Sequence, residues 1–193
     1  MANSRVYPGF SKPLHLAVIA DDFPELTRLL ESGSYDVNGK DGDSWRARTP
    51  LWLAVWWQRK EMVKLLLRHH AKVAKRCPDY ITTVMAAVCE DKPAGTRSDP
   101  EILQLLLDHG GEEIVDAVDA GGRSALVMAV GQDCVSCVRR LMSAGAEVVV
   151  HEEDGWSVMS LAELHGFTEV LNVLKEEMRK RGECMSLSLC YVE

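Results

Sequence analysis

Two phrases recur along this chain, five times and in the same order, and this repetition constrains the fold more than any other feature of its 193 residues. The first phrase is a small or polar residue followed by a short apolar helix opening. It reads Lys12-Pro-Leu-His-Leu-Ala-Val18, then Thr49-Pro-Leu-Trp-Leu-Ala-Val55. Weaker copies run from Ile81 to Ala87, from Ser124 to Val130 and from Ser157 to Glu163. The second phrase is a leucine-rich helix, at Glu25 to Gly33, Glu61 to Leu67, Glu101 to Gly110, Val138 to Gly145 and Glu169 to Leu174. With alanine as the register mark, Ala17, Ala54, Ala86, Ala129 and Ala162 stand 37, 32, 43 and 33 residues apart.

Each phrase carries its own physical logic. Pro13 and Pro50 stand at helix starts, where a missing N–H costs nothing and the fixed φ helps. Small alanines let one inner helix lie close to the next, and leucines at helical spacing supply the contact between stacked units. Gly33, Gly110 and Gly145 are expected to end the second helices in the left-handed conformation, and Gly182 the last one. A helix pair of this size buries its apolar face only against its neighbours, so stability is shared along the array. The long step of 37 comes from the connection Asn38 to Arg48, and that of 43 from the polar insert Cys89 to Pro100. Such an insert reads as a surface loop, with Ser98 or Asp99 capping the helix behind it.

Both phrases resemble the ankyrin repeat, whose unit is a turn plus two helices with a Thr-Pro-Leu-His opening and a period near 33. The resemblance covers residues 11 to 178 and is most specific at Lys12 to Ala17 and Thr49 to Ala54. It implies an all-α ankyrin-repeat solenoid of five helix-turn-helix units with finger loops. These units are expected at about 11–43, 44–75, 76–118, 119–151 and 152–182, making one domain over 1–182 with a tail at 183–193. The implied function is a non-catalytic protein–protein interaction module: an adaptor, inhibitor or scaffold, monomeric alone, with another protein as partner and no cofactor. His15 takes the family's histidine position, which implies a structural bond to backbone in the turn.

Ankyrin domains generally bind through finger loops and the exposed face of the inner helices, a concave surface. The resemblance places Trp56 and Trp57 on that side. Two adjacent tryptophans cannot both face the core of one helix, so one or both are expected to be partly exposed. Trp45, Arg46 and Arg48 in the second finger, Tyr80 in the third, Arg123 in the fourth and Trp156 in the fifth fall on the same side. Aromatic residues and arginine are favoured in interfaces, so these eight form the expected partner-binding set. A second reading has exposed aromatics beside basic residues (Trp45, Arg46, Arg48, Trp56, Trp57) stacking nucleobases, as a small-ligand or oligonucleotide sensor.

Charge weighs against that second reading. A net charge of −7 lacks the basic footprint of a nucleic-acid binder and disfavours an anionic membrane surface. The most apolar run, Leu51 to Trp57, is far shorter than the roughly 20 residues of a spanning helix. Leu14 to Ala20 runs into Asp21-Asp22 with no basic region before it, so it does not read as a signal peptide. Six cysteines without framework spacing suggest free thiols and a cytosolic or nuclear setting. Cys134-Val-Ser-Cys137 is a lone CxxC without the second pair a structural zinc site needs, so no metal site is expected and the two thiols read as packing. There is no glycine-rich phosphate loop and no nucleophile with a base at readable spacing.

Overall fold

The computed structural model describes residues 11–41, 47–74, 80–89, 98–148 and 157–182. Ten α-helices among them form five pairs: α1 (Pro13–Ala20) with α2 (Phe23–Glu31), α3 (Pro50–Trp56) with α4 (Lys60–Arg68), α5 (Thr83–Val88) with α6 (Pro100–Leu107), α7 (Ala125–Gly131) with α8 (Val135–Ser143), and α9 (Val158–His165) with α10 (Thr168–Arg181). The odd-numbered helices pack in sequence as one layer, α1 on α3 through to α9, and the even-numbered ones as a second. The fold is therefore the expected all-α ankyrin solenoid of five units.

Local chemistry sets where each helix starts. The hydroxyls of Thr49, Thr82, Ser124 and Ser157 accept amide bonds from the third residue of the helix that each precedes. Lys12 cannot cap α1; the carboxylate of Asp41, from the next finger, accepts the backbone N–H of Ser11 and of Lys12 instead. Pro13, Pro24, Pro50 and Pro100 occupy the first turns of their helices. Asp99, not Ser98, caps α6, accepting the Glu101 amide at 2.8 Å.

Left-handed residues set where the helices stop. After the inner helices these are Asp21, Gln58, Asp133 and Gly166, with φ of 59°, 54°, 51° and 71°. After the outer helices they are Gly33, His70, Gly110, Gly145 and Gly182. Unit three lacks the first of these stops: Cys89 leaves α5 in an extended conformation and the chain departs into the insert, whose residues 90–97 lie outside the described residues. The same unit corrects the sequence register. Counted from the caps, the alanine matching Ala17, Ala54, Ala129 and Ala162 is Ala87, not Ala86, because Thr82 rather than Ile81 opens the phrase. Both alanines are fully buried, so either satisfies the close approach of α5 to its neighbours.

The core runs unbroken through the stack, with Leu26, Leu51, Met62, Leu66, Met85, Leu103, Leu126, Leu141 and Leu174 all essentially inaccessible. Polar stitches join one unit to the next. His15 Nε2–H donates to the Arg48 carbonyl at 2.9 Å, and burial pushes the imidazole below its ordinary pKa, favouring the neutral ring. Asn38 accepts the Lys72 amide at 2.7 Å, and Asp116 repeats the bond two units later with the Glu147 amide at 2.8 Å.

His70 stands where units one, three and four place Gly33, Gly110 and Gly145, at a φ of 61°. Its side chain is exposed, so the backbone decides its contribution. Replacing it by glycine should raise stability by about 0.5–1 kcal/mol, read from urea unfolding, because the left-handed penalty of a side chain is removed. A loss of stability would show that imidazole contacts outweigh the backbone.

Candidate partner-binding face

Residue spacing on α3 builds the principal aromatic cluster. Trp52 and Trp56 are four apart, so they lie on one helix face and stack with centroids 5.0 Å apart and planes 15° from parallel. Arg48 comes from the finger, and its guanidinium lies 4.3 Å from the centre of a Trp52 ring as a cation–π contact. The Trp52 indole N–H donates to the Ile81 carbonyl at 3.3 Å, tying the column to the third finger. Its inner members are buried, Arg48 at 8% accessible and Trp52 at 5%, and Trp56 at the outer end is half-buried. Next to Ile81, Tyr80 is 62% exposed, held at a φ of 63°.

Trp57 goes elsewhere. One residue further along a helix is a rotation of about 100°, and Trp57 ends α3. It lines a cleft of about 920 Å³ with Asp21, Phe23, Gln58, Arg59 and Met62, formed by the turns joining α1 to α2 and α3 to α4, away from the fingers. Arg59 sits 5.7 Å from the centre of a Trp57 ring, pairs with Asp21 at 3.3 Å and donates to the Val18 carbonyl. Both tryptophans are half-buried, but they line separate surfaces.

Of the remaining expected residues, Arg123 is described. Arg123 braces its own finger, its guanidinium 2.8 Å from the Asp119 carboxylate. Burial of Asp119 opposes its charge, yet bonds from the backbone and guanidinium of Arg123 and the Gly121 amide prevail and hold the carboxyl below its ordinary value. Trp45, Arg46 and Trp156 lie outside the described residues. Sequence reading missed Trp52, although its i, i+4 relation to Trp56 signals a stack. It also missed Leu164, which is 64% exposed and stands seven residues past its cap, as Trp56 does. Between them on this line fall Cys89 and Gly131, both small.

Chemistry beyond packing is sparse. Among the described residues no cluster of three or more His, Cys, Asp or Glu side chains could hold a metal ion, and no helix is long and apolar enough to cross a membrane. Cys89, at the end of α5, is buried. Cys134 and Cys137, however, are joined as a disulfide, contrary to the free-thiol expectation, because the first turn of α8 brings their Cα atoms to 5.3 Å.

A two-layer stack of helix pairs with projecting fingers defines a repeat solenoid, a protein that works through an extended surface. Residues 6–77 match the family model for ankyrin repeats in three copies. The potassium channel AKT1 of Arabidopsis thaliana is 27% identical over 88% of this chain. The nuclear factor NF-kappa-B p105 subunit of Gallus gallus is 33% identical over 77%, and the B-cell lymphoma 3 protein homolog of Mus musculus 27% over 84%. The chain spans only 22%, 15% and 38% of the lengths of these relatives. It belongs to the ankyrin-repeat family, whose members generally act as non-catalytic protein-interaction modules.

The differing environments of the tryptophans are measurable. Trp52→Ala should cost about 3–5 kcal/mol, the range for emptying a buried aromatic site. Trp57→Ala should cost about 1 kcal/mol or less, because it lines an open cleft. Equal losses in urea unfolding would contradict the division.

Proposed function

We propose that this chain is a non-catalytic interaction module that binds a partner protein on the concave face of its inner helices and fingers, with Trp56 as central anchor and Tyr80 beside it. The observation carrying this reading is the Arg48–Trp52–Trp56 column, buried at its inner end and half-buried at Trp56. Its inner members are buried and bonded, so the outer indole face is held rigid before any partner arrives, and little side-chain freedom is lost on binding. Trp45, Arg46 and Trp156 extend the same face in the proposal, and Leu164 marks its far end. Arg123 shapes the fourth finger through Asp119, and Trp57 serves the second cleft.

Arg48 argues against the nucleobase reading. Arg48 is buried with its guanidinium over Trp52, and Trp52 is itself buried and stacked on Trp56, so this pair offers no open aromatic face beside an accessible cation. Site of action is proposed as cytosol or nucleus, in keeping with a relative named as a nuclear factor. Relatives as unlike as a channel and a nuclear factor fit a module whose partner is set by surface residues rather than by fold.

Affinity capture from an extract of the native cells, with helical circular dichroism as fold control, tests the address. Trp56→Ala should lower capture of the partner at least about tenfold, the effect of removing a hot-spot tryptophan, while Trp57→Ala leaves it nearly unchanged. Undiminished capture by Trp56→Ala would refute the proposed face.

A further inference from the structure

Cys134 and Cys137 are the one covalent crosslink among the described residues, and the architecture does not need it. A disulfide that stabilises a fold does so chiefly by closing a long loop of the unfolded chain. This one joins residues with a sequence separation of 3, within a turn that backbone bonds already fix, since the Cys134 amide donates to the Ala129 carbonyl and the Val138 amide to the Cys134 carbonyl. The position of Cys137 is held in units two, three and five by buried Met62, Ile102 and Val170, each three residues past its cap, and in unit one by Glu25, so packing there asks for no more than an apolar side chain. The position of Cys134 is held by Asp22 and Asp99 in units one and three, where the carboxylate caps the helix. Cys134 makes no such side-chain bond.

We infer that Cys134 and Cys137 form a reversible dithiol–disulfide pair that exchanges with low-molecular-weight disulfides and thiols while the solenoid stays folded. Access fixes the order of events: Cys134 is half-buried at the mouth of the turn, and Cys137 is fully inaccessible. In the oxidising direction, the Cys134 thiolate attacks one sulfur of a glutathione-type disulfide and expels one thiolate, leaving a mixed disulfide on Cys134. Cys137 then gives up its proton, and its sulfur attacks Sγ of Cys134, expelling the second thiolate. Two protein thiols are thereby oxidised by two electrons, and the small disulfide is reduced to two thiols that take up the two protons released. Reduction runs the same steps backwards, with the small thiol entering at Cys134 and Cys137 leaving as thiolate. The positive end of α8 stabilises negative charge on either sulfur during the exchange.

The whole chain, incubated in mixtures of reduced and oxidised glutathione, acid-quenched and alkylated after denaturation, reports the state of each cysteine by peptide mass. The 134–137 pair should pass from two alkylated thiols to one internal disulfide and back as the mixture is varied, with helical circular dichroism unchanged. Cys137→Ala should trap glutathione on Cys134, and Cys134→Ala should trap at least about tenfold less on Cys137, following accessibility. Two alkylated thiols in every mixture would overturn the proposal, as would a bond that stays closed in reduced glutathione alone. Equal trapping by the two single variants would overturn entry through Cys134. The wild-type titration stands even where a variant fails to fold.

Discussion

Everything in this molecule depends on the fact that a pair of short helices cannot bury its own apolar face. The inner helices are six to eight residues long, well under the roughly 12–15 that hold together alone in water. Each is covered by its outer partner and by the inner helices beside it, two for α3, α5 and α7 and one for α1 and α9. Stability is therefore a property of the interfaces between units, and the side chains at those interfaces come out most completely buried.

The same dependence shapes the candidate site. The finger of unit two does three things for unit one: Asp41 caps α1, the Arg48 carbonyl receives His15, and the backbone of Asp41 and Arg48 pairs to close the finger. Once fixed, the Arg48 side chain supports Trp52, Trp52 supports Trp56, and the Trp52 indole reaches unit three through Ile81. The half-buried Trp56 indole is thereby supported through three units at once. A surface prepared in this way loses little freedom on binding, which suits a module that acts by contact alone.

Much of this was legible in the letters. The capping hydroxyls, the first-turn prolines and the glycines at 33, 110, 145 and 182 announce helix ends by local chemistry, and local chemistry survives folding. His70 in a glycine position and Asp21, Gln58 and Asp133 in left-handed turns were not legible, since bonds from the following amides back to the helix hold these turns around residues whose type gives no such signal. The Ala86-for-Ala87 slip has a different cause: adjacent Ala86 and Ala87 leave two registers open, and the bond from the Met85 amide to the Thr82 hydroxyl chooses between them. At the site, adjacency showed that Trp56 and Trp57 must diverge, but not that Trp57 would face a cleft shared with unit one. Spacing likewise permitted Cys134 to meet Cys137, and the start of α8 decided that it does.

Amide hydrogen exchange of the folded chain, resolved helix by helix, tests the interdependence of the units most directly. If stability resides in the interfaces, α5 and α7 should exchange slowest, and protection should fall toward α1 and α2 at one end and α9 and α10 at the other, where one neighbour is lacking. Protection of the α1–α2 pair equal to that of the central helices would mean a unit that folds by itself, and would contradict the account.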